Sequence, residues 1–172
     1  DGATVLMLIA SASADLPARW IPAAELLLDC GAEVNAVADD GSTPLMFAAY
    51  EGNTAMVETL LARGANVHMK TTYGDNALVC AVEGGHLDTA RALLEAGADA
   101  DSTNQQSCTV AKIAVLEKNV PMLELLLRYD ASAATAIGMG PLDPDKGVPV
   151  DAETWDAMVW AVADEPRLIP LL

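Results

Sequence analysis

The strongest constraint on this chain is a sequence pattern that recurs every 33 residues. Gly31, Gly64 and Gly97 fall in register, and Asp130 takes the fourth equivalent position. A repeat length between about 20 and 50 residues is typical of arrays in which each unit packs on its neighbours. Pairs of leucines keep the same spacing in all four copies: Leu27-Leu28, Leu60-Leu61, Leu93-Leu94 and Leu126-Leu127.

The second copy shows what one unit contains. Thr43 can cap a helix, and Pro44 suits the first turn, where an N–H has no partner within the helix. Gly52 is placed to end this short helix. A second helix is predicted from about Thr54 to Ala62, with Gly64 after it. Its apolar residues recur at helical spacing, which predicts a buried stripe: Met56, Val57, Leu60 and Leu61.

The unit resembles the ankyrin repeat. The likeness rests on Thr43-Pro44-Leu45 followed by Ala48-Ala49, on Gly85-His86, and on the closing segments Gly97-Ala98-Asp99 and Gly31–Ala36. It extends from residue 1 to about residue 136. The resemblance implies an all-α ankyrin-repeat solenoid of helix–turn–helix units, each with a β-hairpin-like finger. In such a unit, the histidine of the Gly-His pair hydrogen-bonds between neighbouring repeats.

The pattern also predicts the organisation of the chain. We expect repeats at about 1–40, 41–73, 74–106 and 107–139, a Gly/Pro/Asp-rich loop at 137–151, and a degenerate or truncated fifth repeat at 152–172. In the first repeat the spacing is 39 rather than 33, so about six extra residues are expected between its helices, near 13–22. Tryptophans 155 and 160 are expected to pack the end of the array. The abrupt start at Asp1 suggests a fragment or a processed chain.

The fourth repeat departs most from the pattern. Val110-Ala111 replaces the Pro-Leu pair, Ser107 aligns with Gly41 and Gly74, and Asp130 stands where glycine is expected. A residue with a side chain is strained in the left-handed backbone region that glycine enters freely. We therefore expect the fourth repeat to be the most strained.

Composition excludes several functions. With 25 acidic and 9 basic residues the formal net charge is −16, which disfavours nucleic acid and anionic membrane surfaces. No apolar run reaches the roughly 18 residues of a membrane-spanning helix, so no direct membrane insertion is expected. Three cysteines cannot form a disulfide framework, which favours an intracellular location, either cytoplasmic or organellar.

Neither metal binding nor catalysis is predicted. His68 has no cysteine or carboxylate at metal-ligand spacing, and Cys30, Cys80 and Cys108 form no paired motif. Cys80 is expected in an apolar core, where it would be inert. No phosphate-binding loop, nucleophile motif or dinucleotide fingerprint is present, so we expect no enzyme and no cofactor.

The resemblance implies that a partner protein binds the concave face, formed by the finger tips and the exposed side of each first helix. Its acidic character favours a partner with a basic segment, although acidity can also serve solubility alone. The residues of this sequence at those positions are Asp39, Asp40, Ser42, Tyr50, Glu51, Lys70, Thr72, Tyr73, Asp75, Glu83, Gln105, Gln106, Leu116 and Glu117.

Other interpretations stay open. The same scaffold can serve as a constitutive subunit or assembly factor of a larger complex, in an organelle or at a membrane, or as a regulatory domain of a larger enzyme. Asn35 closes the segment Leu26–Asn35, which resembles the context in which ankyrin proteins are hydroxylated on asparagine. The alternative for Asn35 is an ordinary turn residue.

Overall fold

A computed structural model describes residues 4–12 and 17–129, and this part of the chain contains eight helices and no strand. The predicted all-α class is therefore confirmed. The chain divides into two compact units, Asp1–Asp99 and Ala100–Leu172, which are described separately. None of the helices in the described ranges is long and apolar enough to cross a bilayer. The helices are α1 (Val5–Ala10), α2 (Pro17–Asp29), α3 (Pro44–Tyr50), α4 (Thr54–Ala62), α5 (Ala77–Glu83), α6 (Leu87–Glu95), α7 (Val110–Leu116) and α8 (Val120–Arg128).

The first unit stacks three helix pairs in two rows. In one row α1 packs on α3 and α3 on α5, and in the other α2 packs on α4 and α4 on α6. The core lies between the rows and includes Leu45, Leu60, Leu78 and Leu93, each at most 1% exposed. Ala48 and Ala81 are fully buried, and their small side chains let neighbouring helices approach closely. The recurring leucines and alanines are therefore the residues that join one repeat to the next.

Six of the helices in the described ranges begin at side-chain caps, whereas α6 begins at His86 without one. Thr43 Oγ1 accepts a hydrogen bond from the Met46 N–H, and Pro44 fills the first helical position. Asn53 caps α4 in the same way, with 3.2 Å between its Oδ1 and the Met56 nitrogen. The predicted helix from Thr54 to Ala62 is confirmed at both ends. These caps satisfy amide groups that have no partner within the helix.

The fingers of the first unit are tight hairpin-like turns with the same hydrogen bonds. The Ala38 N–H donates to the Ser42 carbonyl (2.9 Å), and 33 residues later the Thr71 N–H donates to the Asp75 carbonyl (2.8 Å). The Thr72 N–H also donates to the carbonyl of Asp40, which connects the two turns (2.8 Å). The predicted β-hairpin-like fingers are thus present.

The prediction for the first repeat is wrong in part. Pro17, Trp20 and Pro22 were expected in an insertion between the helices, but all three lie within α2. Pro17 occupies the first helical position, and Pro22 removes a backbone donor only one turn further on, so the interruption is confined to the start of the helix. The segment from 23 to 28 is rich in alanine and leucine, which are strong helix formers. Residues 13–16 lie outside the described part.

The second unit begins with a third finger and the helix pair α7 and α8. The Asn104 N–H donates to the Cys108 carbonyl, and Thr103 and Thr109 form an antiparallel bridge. The side-chain oxygen of Asn104 accepts from the amides of Gln106 and Cys108, both at 3.0 Å. The core of the second unit includes Val110, Ala111, Ala114, Met122, Leu123 and Leu126. The predicted loop at 137–151, the fifth repeat at 152–172 and its two tryptophans lie outside the described residues.

Backbone strain in the fourth repeat is confirmed at two positions. Ser107 has a φ of 58° and Lys118 a φ of 54°, and among the described non-glycine residues these two have positive φ. Ser107 takes the position of Gly74, and Lys118 takes that of Gly85. A non-glycine residue in this region costs about 1–2 kcal/mol. Lys118 was not singled out in the sequence, and Asp130, where the missing glycine predicted strain, lies outside the described residues.

We predict that Ser107→Gly stabilises the chain by about 0.5–1 kcal/mol, because it relieves about 1–2 kcal/mol of backbone strain. The greater entropy of glycine in the unfolded chain opposes this gain and offsets only part of it. The measurement is the urea unfolding midpoint, followed by circular dichroism. Gly74→Ser, at the same position of the preceding finger with a φ of 93°, should lower the midpoint. An unchanged or lower urea midpoint for Ser107→Gly would show that the backbone of Ser107 is not strained.

His86 connects neighbouring repeats as the resemblance implied. Its Nε2 lies 3.0 Å from the carbonyl oxygen of Tyr50, at the end of α3. The ring leaves no space at Gly52, where an added Cβ would overlap it. Gly52 also has a φ of 69°, so this position requires glycine for its backbone and for the imidazole beside it.

Gly52→Ala should therefore destabilise the fold more than Gly64→Ala. Both replace a glycine of positive φ, at a cost of about 1 kcal/mol, but an added Cβ at Gly64 would meet nothing within 4 Å. Displacing the His86 ring should add about 1–2 kcal/mol at Gly52. Thermal unfolding of the two variants compares them directly, and equal losses would show that the imidazole does not constrain this turn.

Candidate functional site

A groove of about 270 Å³ lies between the second and third repeats of the first unit. It is lined by two fingers and by the first helix of each repeat, α3 and α5, which pack side by side. Most of the lining residues form pairs that are 33 positions apart and so recur in both repeats. The lining consists of Asp40, Ser42, Met46, Phe47, Tyr50, Thr71, Tyr73, Asp75, Cys80 and Glu83.

The helical part of the groove is apolar at its floor and polar at its rim. Met46 is only 3% exposed and Phe47 is half-buried, whereas Tyr50, one turn beyond Phe47 on α3, is 61% exposed. On α5 the equivalent positions carry Cys80, which is half-buried, and Glu83, which is exposed. Residues three positions apart lie on the same face of a helix. Phe47 and Tyr50 therefore share one face of α3, and Cys80 and Glu83 share one face of α5.

The first finger presents a fixed carboxylate. Asp40 Oδ1 accepts from the Ser42 N–H (2.9 Å), and Oδ2 accepts from the Ser42 hydroxyl (2.8 Å). These bonds, the backbone one foremost, lower the pKa of the Asp40 carboxyl. Asp40 therefore carries its negative charge throughout the neutral range, in one orientation.

The second finger presents an aromatic ring at its tip. Thr71 Oγ1 accepts hydrogen bonds from the amides of Tyr73 and Asp75, each 3.2 Å long. This turn leaves the Tyr73 side chain 56% exposed. Aromatic residues are enriched at protein interfaces, where their rings supply contact area.

Cys80 is held as a neutral thiol. Burial first, and then the carboxylates of Asp75 and Glu83, raise the pKa of the Cys80 thiol to about 12. A thiol of this kind is a poor nucleophile at neutral pH. The prediction that Cys80 lies in the core is wrong, because the side chain is half-buried at the groove.

The groove brings together six of the residues predicted to bind a partner: Asp40, Ser42, Tyr50, Tyr73, Asp75 and Glu83. Four more belong to the same unit but do not line the groove: Asp39, Glu51, Lys70 and Thr72. Gln105, Gln106, Leu116 and Glu117 belong to the second unit. Their role in binding stays a prediction.

Sequence reasoning missed four lining residues: Met46, Phe47, Thr71 and Cys80. Phe47 and Cys80 precede predicted residues by one helical turn, so their position on the same helix face was a usable signal. Their apolar character indicated a core instead. Thr71 is the equivalent of Ala38, and because alanine has no side-chain oxygen, comparison of the two repeats gave no sign of the role of Thr71.

Residues 4–12 and 17–129 contain no group of three or more His, Cys, Asp or Glu side chains arranged to hold a metal ion. His68 is exposed, and its backbone N–H donates to Asn66 Oδ1 at 3.0 Å. The described geometry thus offers the groove, rather than a metal centre, as the candidate site.

Asn35 has a structural role between repeats. Its Oδ1 accepts from the Asn66 N–H (2.7 Å), and its Nδ2 donates to the Gly64 carbonyl (3.2 Å). The amide thus joins the end of the first repeat to the end of the second. Hydroxylation of Asn35 stays a prediction, which a mass increase of one oxygen on its peptide would test.

Comparison with known proteins identifies the repeats. Two family models, both described as ankyrin repeats, match residues 27–81 and 65–136. Human ankyrin repeat and SOCS box protein 16 is 35% identical over 79% of this chain and 32% of its own length. The mouse B-cell lymphoma 3 protein homolog is 33% identical over 70% of this chain and 26% of its own length. The Arabidopsis thaliana E3 ubiquitin-protein ligase KEG is 33% identical over 66% of this chain and 7% of its own length. The chain thus spans at most about a third of the length of these relatives.

We predict that Cys80 reacts with iodoacetamide at pH 8 about a thousandfold more slowly than a thiol of ordinary pKa, because so little thiolate is present. The measurement is the alkylation rate by mass spectrometry, with Cys30 and Cys108 replaced by serine. Asp75→Asn and Glu83→Gln should each accelerate the reaction, since each removes a charge that opposes the thiolate. A rate that neither substitution changes would show that the carboxylates do not act on the thiol.

Proposed function

The chain belongs to the ankyrin-repeat family, whose repeats are protein-interaction modules, and we propose that its groove binds a basic segment of another protein. One observation supports this proposal above the rest. Two exposed tyrosines and three carboxylates, drawn from two fingers and two helices, line a single groove. None of these five side chains belongs to the buried core that joins the repeats.

The tyrosines supply the contact area. Tyr50 and Tyr73 are each more than half exposed, on a helix end and on a finger tip. Burying an aromatic ring in an interface contributes much of the binding energy, and tyrosine is enriched among the residues that dominate it. Because a short turn fixes the backbone of Tyr73, less conformational entropy is lost when a partner orders this ring.

The carboxylates supply the selectivity. Asp40, Asp75 and Glu83 line the groove, and no lysine or arginine does. Arginine and lysine side chains can pair with carboxylates and also pack their cationic groups on tyrosine rings. The formal net charge of −16 extends this preference, because it accelerates encounter with basic partners and repels acidic ones.

We propose a non-enzymatic role for this stretch, in an intracellular location. The groove holds its thiol protonated, and the three cysteines at 30, 80 and 108 are free. Free cysteines are the norm in reducing compartments.

A second candidate role is that of a binding region within a larger protein or complex, either a subunit or a regulatory part of an enzyme. The supporting observation is the comparison, since the relatives are longer proteins and include one named as a ligase. This role uses the same groove, and the two candidates differ in what the groove is attached to.

Binding of two sets of short fluorescent peptides tests the groove. The basic set has arginine and lysine among apolar residues, and the acidic set has glutamate at the same positions. Tyr73→Ala should weaken binding of the basic set about tenfold, because it removes an exposed aromatic contact. The double variant Asp75→Asn/Glu83→Gln should weaken it several-fold, with the larger effect at low salt. Fluorescence anisotropy at two salt concentrations gives both values.

The matched control is Glu58→Gln/Glu95→Gln, which removes the same charge from exposed positions on α4 and α6. It should change affinity much less than the groove double variant. If the two double variants lose the same affinity, the effect comes from net charge and not from the groove. If the acidic peptides bind as tightly as the basic peptides, the proposal is contradicted.

A further inference from the structure

Aromatic side chains are concentrated in the groove between the second and third repeats. The whole sequence contains one phenylalanine, three tyrosines and three tryptophans. The phenylalanine, Phe47, lines the groove together with two of the tyrosines, Tyr50 and Tyr73. In the first, third and fourth repeats no aromatic residue stands at the equivalent positions, which carry Leu8, Cys80 and Ile113, then Ser11, Glu83 and Leu116, then Asp40, Gln106 and Met139. The stacking of repeats therefore does not require these three rings.

The floor of the groove offers no strong hydrogen-bond acceptor among its side chains. It is formed by Met46, Phe47 and Cys80, and sulfur atoms accept hydrogen bonds only weakly. An ammonium group brings three N–H donors, and each donor left without an acceptor in a desolvated site lowers the affinity. The carboxylates at the rim can pair with such a group, but the floor cannot. An unmodified lysine or arginine side chain is therefore poorly matched to the floor.

A positive charge is nevertheless favoured at this floor. Burial, and then the carboxylates of Asp75 and Glu83, raise the pKa of the Cys80 thiol, and both carboxylates line the groove. The charges that disfavour a thiolate at this point attract a cation placed beside it. The faces of aromatic rings are negative as well and attract cations. The groove thus combines a preference for positive charge with a lack of acceptors for N–H groups.

A quaternary ammonium meets both conditions. It carries a positive charge without any N–H, and it lacks the strong hydration of a lysine ammonium. We propose that the groove accepts a trimethylated lysine side chain of the partner segment, with the methyl groups packed on Phe47, Tyr50 and Tyr73. This inference rests on the function proposed above. The groove volume of about 270 Å³ is just below the roughly 300–1,000 Å³ of pockets for drug-sized molecules, so it suits a single side chain.

The test compares three forms of one basic fluorescent peptide for binding to the full chain. The central residue of the peptide is lysine, trimethyllysine, or the neutral isostere of trimethyllysine in which carbon replaces the quaternary nitrogen. Fluorescence anisotropy gives the three affinities. Trimethyllysine should bind about tenfold more tightly than either other form, because a cation–π contact in a partly desolvated site is worth a factor of about this size.

Tyr50→Leu separates the effect of an aromatic ring from that of its apolar area. Leucine stands at the equivalent position of α7, at Leu116, so the change suits a helix of this kind. The preference for trimethyllysine over its neutral isostere should fall to about threefold or less, because the negative face of the ring is lost. Tyr129→Leu is the matched control: Tyr129 is exposed too but does not line the groove, so the tenfold preference should persist.

The remaining outcomes overturn the inference in distinguishable ways. If the lysine and trimethyllysine peptides bind equally, the groove does not select the methylated form, and the function proposed above stands. If the neutral isostere binds as tightly as trimethyllysine, or Tyr50→Leu keeps the full preference, the rings do not act on the charge. Free choline that binds as tightly as the peptide would assign the groove to a small quaternary ammonium instead. If none of the three peptides binds, the function proposed above is contradicted as well.

Discussion

The packing of successive helix pairs in the first unit is the interaction on which the rest of this structure depends. Helix α3 has 7 residues and α4 has 9, whereas an isolated helix needs about 12–15 residues to be even marginally stable in water. Their stability comes from burial between neighbours, which leaves Leu60 and Leu93 without exposed surface. Finger turns, helix caps and the His86 contact with the Tyr50 carbonyl then fix the spacing at which the pairs stack.

The parts of the fold that were predictable are those where local signals and neighbour packing agree. Helix α4 begins and ends where its cap and Gly64 indicate, since its leucines also face the adjacent pair. Helix α2 was mispredicted because prolines normally interrupt helices, yet packing on α4 and the burial of Ala24 outweigh the single backbone donor lost at Pro22. The three apolar or weakly polar helix residues of the groove, Met46, Phe47 and Cys80, escaped prediction for a similar reason. An apolar residue such as Phe47 has the same helical spacing whether it packs in a core or lines the floor of a groove. The position of the neighbouring finger determines which of the two occurs.

The fourth repeat shows that the backbone follows the array rather than the residue. In the third finger, the Ser107 N–H donates to the Asn104 carbonyl at 2.9 Å, just as the Gly74 N–H donates to the Thr71 carbonyl at 3.0 Å. Serine thus adopts a positive φ because the turn's hydrogen bonds require it. The strain is tolerated there because the turn leads into α7, which has a side-chain cap at Thr109 and the buried residues Val110 and Ala111, as α3 has Thr43, Pro44 and Leu45.

Stacking and recognition use different residues, and this separation explains how an acidic groove can exist at all. Asp75 and Glu83 lie close enough to one thiol to raise its pKa, and such neighbouring charges oppose one another. Their repulsion is tolerable because the core of the first unit is apolar, with alanine, leucine, valine and methionine side chains, and none of its residues lies at the tips of the first two fingers. The exposed residues of the groove, such as Tyr50, Tyr73 and Glu83, can therefore change in charge or size without altering the helix pairs that present them. The same scaffold therefore occurs in proteins as different as a SOCS box protein and a ubiquitin ligase. Each repeat must preserve only the face that packs on the neighbouring repeat.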